Sequence, residues 1–159
     1  MTAAIGVVLD KNANTQRFFG AGNNKDVQGH TDDITALAIS PNRDLVVTGQ
    51  VGSKPILYVW NPSNPEANPV CRMDMGRGKR AVTAVCFSND QTKVAAVGLD
   101  DDHTVIVFDA ARGNQLCSDK TGPDKVLDVA WCQSGNRFCT VGIKHVCFWE
   151  VTNGALTKQ

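Results

Sequence analysis

One pattern occurs three times in this chain, and that limits the fold more than any other feature. ITALAIS from Ile34, VTAVCFS from Val82 and VLDVAWC from Val126 share one layout of apolar and small residues. A second matched run follows each: LVVTGQ from Leu45, KVAAVGL from Lys93 and RFCTVGI from Arg137, closing near Gly49, Gly98 and Gly142. The third set is ILYVWN, VIVFDA and VCFWEV, each placing an aromatic residue (Trp60, Phe108, Trp149) before a polar one. A weaker fourth set reads VCRMDM from Val70, QLCSDK from Gln115 and ALTKQ from Ala155. Registers that agree in order at a period of roughly 40 to 50 residues mark a repeat architecture. In such a chain each unit hides its apolar faces against its neighbours.

The runs are short and rich in Val, Ile, Phe, Trp and Thr, and no window keeps a long 3.6-residue period, so they read as strands. SPNRD, SNDQTK and QSGNR have hairpin-turn chemistry. ALAI, VVT and VIVF are apolar on both faces, whereas a strand of a two-layer sandwich alternates. Strands buried on both faces fit small sheets stacked around an axis. The expected fold is all-β: a partial β-propeller of about three four-stranded blades plus two strands of a preceding blade. AAIGVVLD and TQRFFGA supply those two strands, within residues 1–28, and the blades take residues 29–78, 79–122 and 123–159, the last with an incomplete outer strand. An arc of that size exposes faces and edges. It is therefore expected to belong to a longer protein or to self-associate.

Composition narrows the function classes. With 42% hydrophobic and 20% charged residues the chain is globular rather than disordered. Sixteen basic residues balance sixteen acidic ones, so no electrostatic bias favours nucleic acid or a membrane surface. No apolar run reaches the roughly 20 residues of a membrane helix, and MTAAIGVVLDKN lacks the basic region of a secretory signal. The six cysteines form no C-x-x-C pair and sit in strand-like runs, where they act as small hydrophobes in a reducing interior. A cytoplasmic location follows as an expectation.

Gly29-His30 before the first strand, Thr48 in the second and Trp60 closing the third resemble the WD-repeat family. The resemblance implies a tetrad in which histidine, hydroxyl, tryptophan and a turn aspartate are hydrogen-bonded. Such a network satisfies a buried indole and imidazole while fixing strand spacing. The turn VGSK has no aspartate; the second repeat offers Asp102 but replaces the tryptophan by Phe108, and the third keeps Trp149 without a preceding Gly-His. His30, Thr48, Trp60, Asp102 and Trp149 are the expected tetrad-like residues. His145 reads as a packing or loop-bonding residue.

GHTDDITALAISPNRDLVVTGQVGSKPILYVW, QRFFGAG before it and VGIKHVCFW later resemble the echinoderm microtubule-associated protein-like family. The likeness runs from Ala3 to Leu156. It implies propellers that bind tubulin, with microtubules bound by a separate coiled coil and basic segment, and hence tubulin or microtubules as partners at the cytoskeleton. The family's coiled coil and basic segment have no counterpart in this sequence.

Signatures of chemistry give way to structural readings. GRGKRA (76–81) matches G-x-G-x-x-A, but a strand follows where a dinucleotide site needs a helix. LDDDHT (99–104) lacks the glycine and distant glutamate of a calcium loop and reads as a tight turn. The cysteines are scattered along strands rather than spaced for zinc, and no triad or metalloprotease spacing accompanies the histidines. The sequence therefore points to a non-catalytic interaction module with no cofactor or metal. Its partners would be proteins, by resemblance tubulin; the alternative is a generic WD-repeat scaffold unrelated to tubulin. Loops free of core duty supply the candidate contacts: Asp32, Asp33, Lys54, Arg77, Lys79, Arg80, Asp100 and Asp101.

Overall fold

The computed structural model describes residues 4–20 and 28–159. Every repeat run is a strand. β1 (Gly6–Asp10) pairs with β2 (Thr15–Phe19) in a two-stranded sheet. Three four-stranded antiparallel sheets follow, each in simple sequential order. The first contains β3 (Ile34–Ile39), β4 (Val46–Gln50), β5 (Ile56–Trp60) and β6 (Cys71–Asp74). The second contains β7 (Val82–Phe87), β8 (Lys93–Gly98), β9 (Thr104–Asp109) and β10 (Gln115–Lys120). The third contains β11 (Val126–Trp131), β12 (Arg137–Gly142), β13 (His145–Thr152) and β14 (Ala155–Lys158). β14 is complete enough to pair with β13 over four residue pairs, from Trp149↔Lys158 to Thr152↔Ala155. The first and last strands of the segment expected at 1–28 are described only in part: residues 1–3 and 21–27 lie outside the described residues.

Turn chemistry closes the first hairpin of each sheet. Ser40 Oγ and Ser88 Oγ accept from the backbone N–H of Leu45 (3.0 Å) and Lys93 (2.9 Å). Arg43 and Gln91 take left-handed backbone there, with φ 66° and 60°. Gly135 holds the matching turn of the third sheet at φ 75°, where the missing Cβ removes the cost.

The sheets stack face to face, which explains the double-sided apolar pattern. Val94, Ala96, Ile106 and Phe108 of the middle sheet meet Val47, Leu57, Val59 and Met73 of the first. The alternate residues Ala95, Val97, Val105 and Val107 meet Val126, Val129, Phe138 and Trp149 of the third. Phe19 of β2 stacks on Trp60 at 4.8 Å, tying the two-stranded sheet to the first four-stranded one. Close approach demands a glycine at position 49, where a Cβ would stand 2.7 Å from the Val82 side chain of the next sheet. All six cysteines are free; Cys71 and Cys117 are buried among apolar side chains. Burial pushes the Cys71 thiol up to about 11 and Cys86 to about 12, so both remain protonated. Among the described residues no helix is long and apolar enough to cross a membrane.

Candidate functional site

Antiparallel order sends the connections between sheets, and the turns between second and third strands, out at the same end of the stack. Below that end lie two hydrogen-bonded chains. In the first sheet, strand alternation puts Thr48 and Gln50 on one face, and His30 descends from the preceding loop to meet both. Trp60 Nε1–H donates to Thr48 Oγ1 (3.1 Å), which lies 2.7 Å from His30 Nε2. His30 Nδ1 lies 2.8 Å from Gln50 Oε1, an oxygen that also accepts the Thr31 backbone N–H at 3.3 Å. Since that oxygen is an acceptor, Nδ1 carries the proton; Nε2 then accepts from the Thr48 hydroxyl, and every group has a partner. Tyr58 and Phe19 meet the imidazole edge-on. Burial pushes the His30 pKa below its ordinary value, opposed by the Gln50 hydrogen bond.

A second chain of the same kind occurs in the third sheet. Trp149 Nε1–H donates to Thr140 Oγ1 (2.9 Å), which lies 2.8 Å from His145 Nε2. Here the histidine arrives from the β12–β13 turn rather than from the loop before the sheet. The expectation that this repeat lacks a histidine partner is thus corrected: His145 takes the role from the opposite side. Burial also lowers the His145 pKa.

The middle sheet has no such chain. The positions of Thr48 and Trp60 are held there by Ala96 and Phe108, both buried and apolar. Asp102, expected as a tetrad-like residue, therefore has no hydroxyl or indole to join. Its carboxylate binds Lys120 Nζ at 2.6 Å instead, and that hydrogen bond raises the Lys120 pKa. Asp100 accepts from the Thr104 backbone N–H (2.8 Å) and hydroxyl, holding the β8–β9 turn.

Above the chains, loops are stitched into a rim. Val51 N–H donates to Asp33 C=O (2.9 Å), Gly52 N–H to Arg80 C=O (2.9 Å) and Arg80 N–H to Leu99 C=O (2.9 Å). Met75 N–H reaches Pro55 C=O at 3.1 Å, setting the Lys54 turn beside the 76–80 loop. Thr121 N–H joins Asp102 C=O (3.1 Å), and Ile143 N–H joins Lys125 C=O (2.9 Å). Asp32, Asp33, Lys54, Arg77, Arg80 and Asp101 are exposed here, with Lys79 and Asp100 half-buried. Arg80 pairs with Asp101 at 3.4 Å. Lys79 lays its stem over Gly98, where a Cβ would meet its Cγ at 2.6 Å. Arg77 projects between Gly76 and Gly78, both at positive φ (79° and 87°). The rim thus combines a backbone fixed by hydrogen bonds with side chains of both signs, an arrangement suited to binding a protein surface.

Gln50 and Thr140 were absent from the residues singled out by sequence, and His145, read as a packing or loop-bonding residue, was not paired with the threonine it meets. Gln50 was detectable as a long amide two residues past Thr48, on the same strand face. His145 had no such signal, because its role depends on which way the β12–β13 turn folds.

The WD domain, G-beta repeat family matches residues 23–61 and 71–109. The ciliary WD repeat-containing protein ctxp80 of Euplotoides octocarinatus is 36% identical over 99% of this chain and 23% of its own length. The 77 kDa echinoderm microtubule-associated protein of Strongylocentrotus purpuratus is 31% identical over 86% of this chain and 21% of its own. Echinoderm microtubule-associated protein-like 2 of Rattus norvegicus is 31% identical over 82% of this chain and 22% of its own. The chain thus spans less than a quarter of these relatives. Among solved structures, the β-propeller domain of Myceliophteria thermophila Cps50 (Swd1) superposes with a TM-score of 0.62 at 12% identity, covering 79% of this chain and 36% of that one. A chain of the mitotic checkpoint complex gives 0.66 at 15% identity, covering 98% and 57%. These likenesses concern fold alone, and the fold is a partial β-propeller.

Proposed function

The chain belongs to the WD-repeat proteins, as a segment of the echinoderm microtubule-associated protein-like kind, and on that premise we propose that its loop rim docks tubulin. Each four-stranded sheet serves as one blade, within residues 29–78, 79–122 and 123–159, and β1–β2 contribute the outer strands of another. The module works by binding rather than catalysis, in the cytoplasm at the cytoskeleton. Supporting this reading is the rim itself: its backbone is tied loop to loop, while among the described residues Lys54, Arg77 and Lys79 lie outside the ion pairs that hold Arg80 and Lys120. A rigid rim loses little entropy on docking, and exposed cations on it fit an acidic surface.

Cosedimentation with polymerised tubulin tests the reading. Arg77→Glu with Lys79→Glu is expected to weaken binding about two- to fivefold per charge. Arg43→Glu, at the opposite end of the sheets, should leave it unchanged. The proposal fails if the chain pellets no more than an unrelated WD-repeat propeller, or if the two ends respond alike.

A further inference from the structure

An open groove lies at the end of the stack away from the rim, where the β1–β2 hairpin meets the β5–β6 loop. It has a volume of about 530 Å³ and carries two exposed cations, Lys11 and Arg17. Arg17 crosses it: Nη1 donates to Ser63 C=O at 2.7 Å and Nη2 to Pro62 C=O at 3.4 Å. Those bonds leave the guanidinium fork with donors to spare beside Ser63. Asp10, the carboxylate on the groove, is turned to its own hairpin, where Oδ1 accepts the N–H of Asn12 (2.9 Å) and of Ala13 (3.1 Å). Positive charge therefore outweighs negative along the lining.

The loop that closes the groove, NPSNPEANPV (61–70), is held by turns rather than by a ladder. Asn61 Oδ1 accepts the Ser63 N–H at 2.8 Å, and Asn64 N–H reaches Asn61 C=O at 3.1 Å. Such a segment opens locally at little cost, and Ser63 is exposed on it. The sequence adds an independent constraint. Of all the serines and threonines in the chain, two stand three residues before a carboxylate: Ser63 before Glu66 and Thr121 before Asp124. Thr121 is 8% exposed, and its hydroxyl donates to His103 C=O at 2.9 Å. Ser63 is thus the reachable hydroxyl in an acidic frame.

We infer that Ser63 is a phosphorylation site for an acidophilic serine kinase, and that Arg17 and Lys11 receive the phosphate. In the transfer, the γ-phosphoryl group of a nucleoside triphosphate forms a bond to Ser63 Oγ as its bond to the β-phosphate oxygen breaks. The hydroxyl proton passes to the kinase's base, and the nucleoside diphosphate leaves. The product brings nearly two negative charges and strong acceptor oxygens to a guanidinium otherwise bonded to backbone carbonyls. Hydrogen bonds from arginine to phosphate are short and strong. Arg17 lies on β2 and Ser63 follows β5, so the phosphate ties the two-stranded sheet to the first four-stranded one, adding to the Phe19–Trp60 stack. It is a latch closed by modification. Because the groove and the rim lie at opposite ends, the latch stands whether or not the rim docks tubulin.

The full chain is incubated with ATP and a serine kinase that selects a carboxylate three positions past the hydroxyl. Mass spectrometry should place a phosphate on Ser63, lost in Ser63→Ala and added about tenfold more slowly in Glu66→Gln. Phosphorus NMR then follows the second ionisation of that phosphate. In the folded chain its midpoint should lie at least about half a pH unit below that of the same phosphate in a peptide of residues 59–68, because neighbouring cations favour the dianion. In phosphorylated Arg17→Gln with Lys11→Gln the midpoint should return to the peptide's, and circular dichroism checks that this variant folds. No phosphate on Ser63, or incorporation indifferent to Glu66→Gln, overturns the site. A folded-chain midpoint equal to the peptide's overturns the latch, as does a shift that survives the double variant.

Discussion

Replacing Thr48 by valine isolates what the first hydrogen-bonded chain contributes. The side chain is fully buried, and the swap keeps its shape while exchanging a hydroxyl for a methyl, so no cavity term enters. Two buried groups then lose their partner: Trp60 Nε1–H and His30 Nε2. Each unsatisfied buried polar atom costs about 1–3 kcal/mol, and the added buried methyl returns about 0.8 kcal/mol. Because the two losses share one site they do not simply add, and the net expectation is about 2–3 kcal/mol. Urea unfolding followed by tryptophan fluorescence reads this as a midpoint lowered by about 1 M at a slope near 2 kcal/mol/M. Thr48→Ser keeps the hydroxyl and should cost about 1 kcal/mol, for one lost methyl. A cycle with Trp60→Phe should show coupling of about 1 kcal/mol, because removing donor and acceptor together leaves fewer orphans. If Thr48→Val unfolds within about 0.5 kcal/mol of the parent, or Thr48→Ser costs as much, the chain contributes packing and not hydrogen bonding.

Two further expectations follow from the same geometry. His30 and His145 both have lowered pKa values, so the unfolded chain takes up protons that the folded chain refuses; stability should be level above about pH 7 and fall as pH drops from about 6.5 towards each folded value, and urea midpoints that do not move between pH 8 and pH 5 would contradict this. Gly49→Ala places a methyl 2.7 Å from Val82 and should cost about 1–3 kcal/mol of overpacking, partly recovered by Val82→Ala in the same chain; a thermal melt unchanged by the single substitution would show that the neighbouring sheets slide apart freely.

The strands could be read from the sequence because three copies of one register constrain each other. Ala95 is uninformative alone, but beneath Val47 and Cys139 it marks a position that faces the next sheet. The register shift near the start of each sheet's first strand, between Ile34 and Ala36, Val82 and Ala84, and Val126 and Asp128, was invisible. A bulge adds a residue to one strand without changing which residues are apolar. The rim was readable only as a set of loops. Which of its charges are spent internally depends on distances: Arg80 beside Asp101, Lys120 beside Asp102, and Asp100 turned into its own turn. Asp102 failed as a tetrad-like residue because position in a turn says nothing about what stands beneath it.

The two histidines show what the fold requires at these positions. A tryptophan buried at a sheet interface brings one N–H that must be satisfied, and a threonine on the neighbouring strand accepts it in both sheets. The threonine hydroxyl then has a proton of its own to place, so an imidazole nitrogen must lie within reach. Either direction of approach meets that need: His30 comes from the loop before the sheet, His145 from the turn within it. Where Phe108 replaces the tryptophan there is no N–H to satisfy, and the hydroxyl and the histidine both become dispensable; Ala96 stands in the threonine's place. The polar chain is thus a consequence of choosing an indole. On this account Phe108→Trp alone should destabilise the middle sheet, by roughly 1–3 kcal/mol for the orphaned N–H in addition to the strain of a larger ring. Adding Ala96→Thr should return part of that loss, and a double variant no more stable than Phe108→Trp would refute the account.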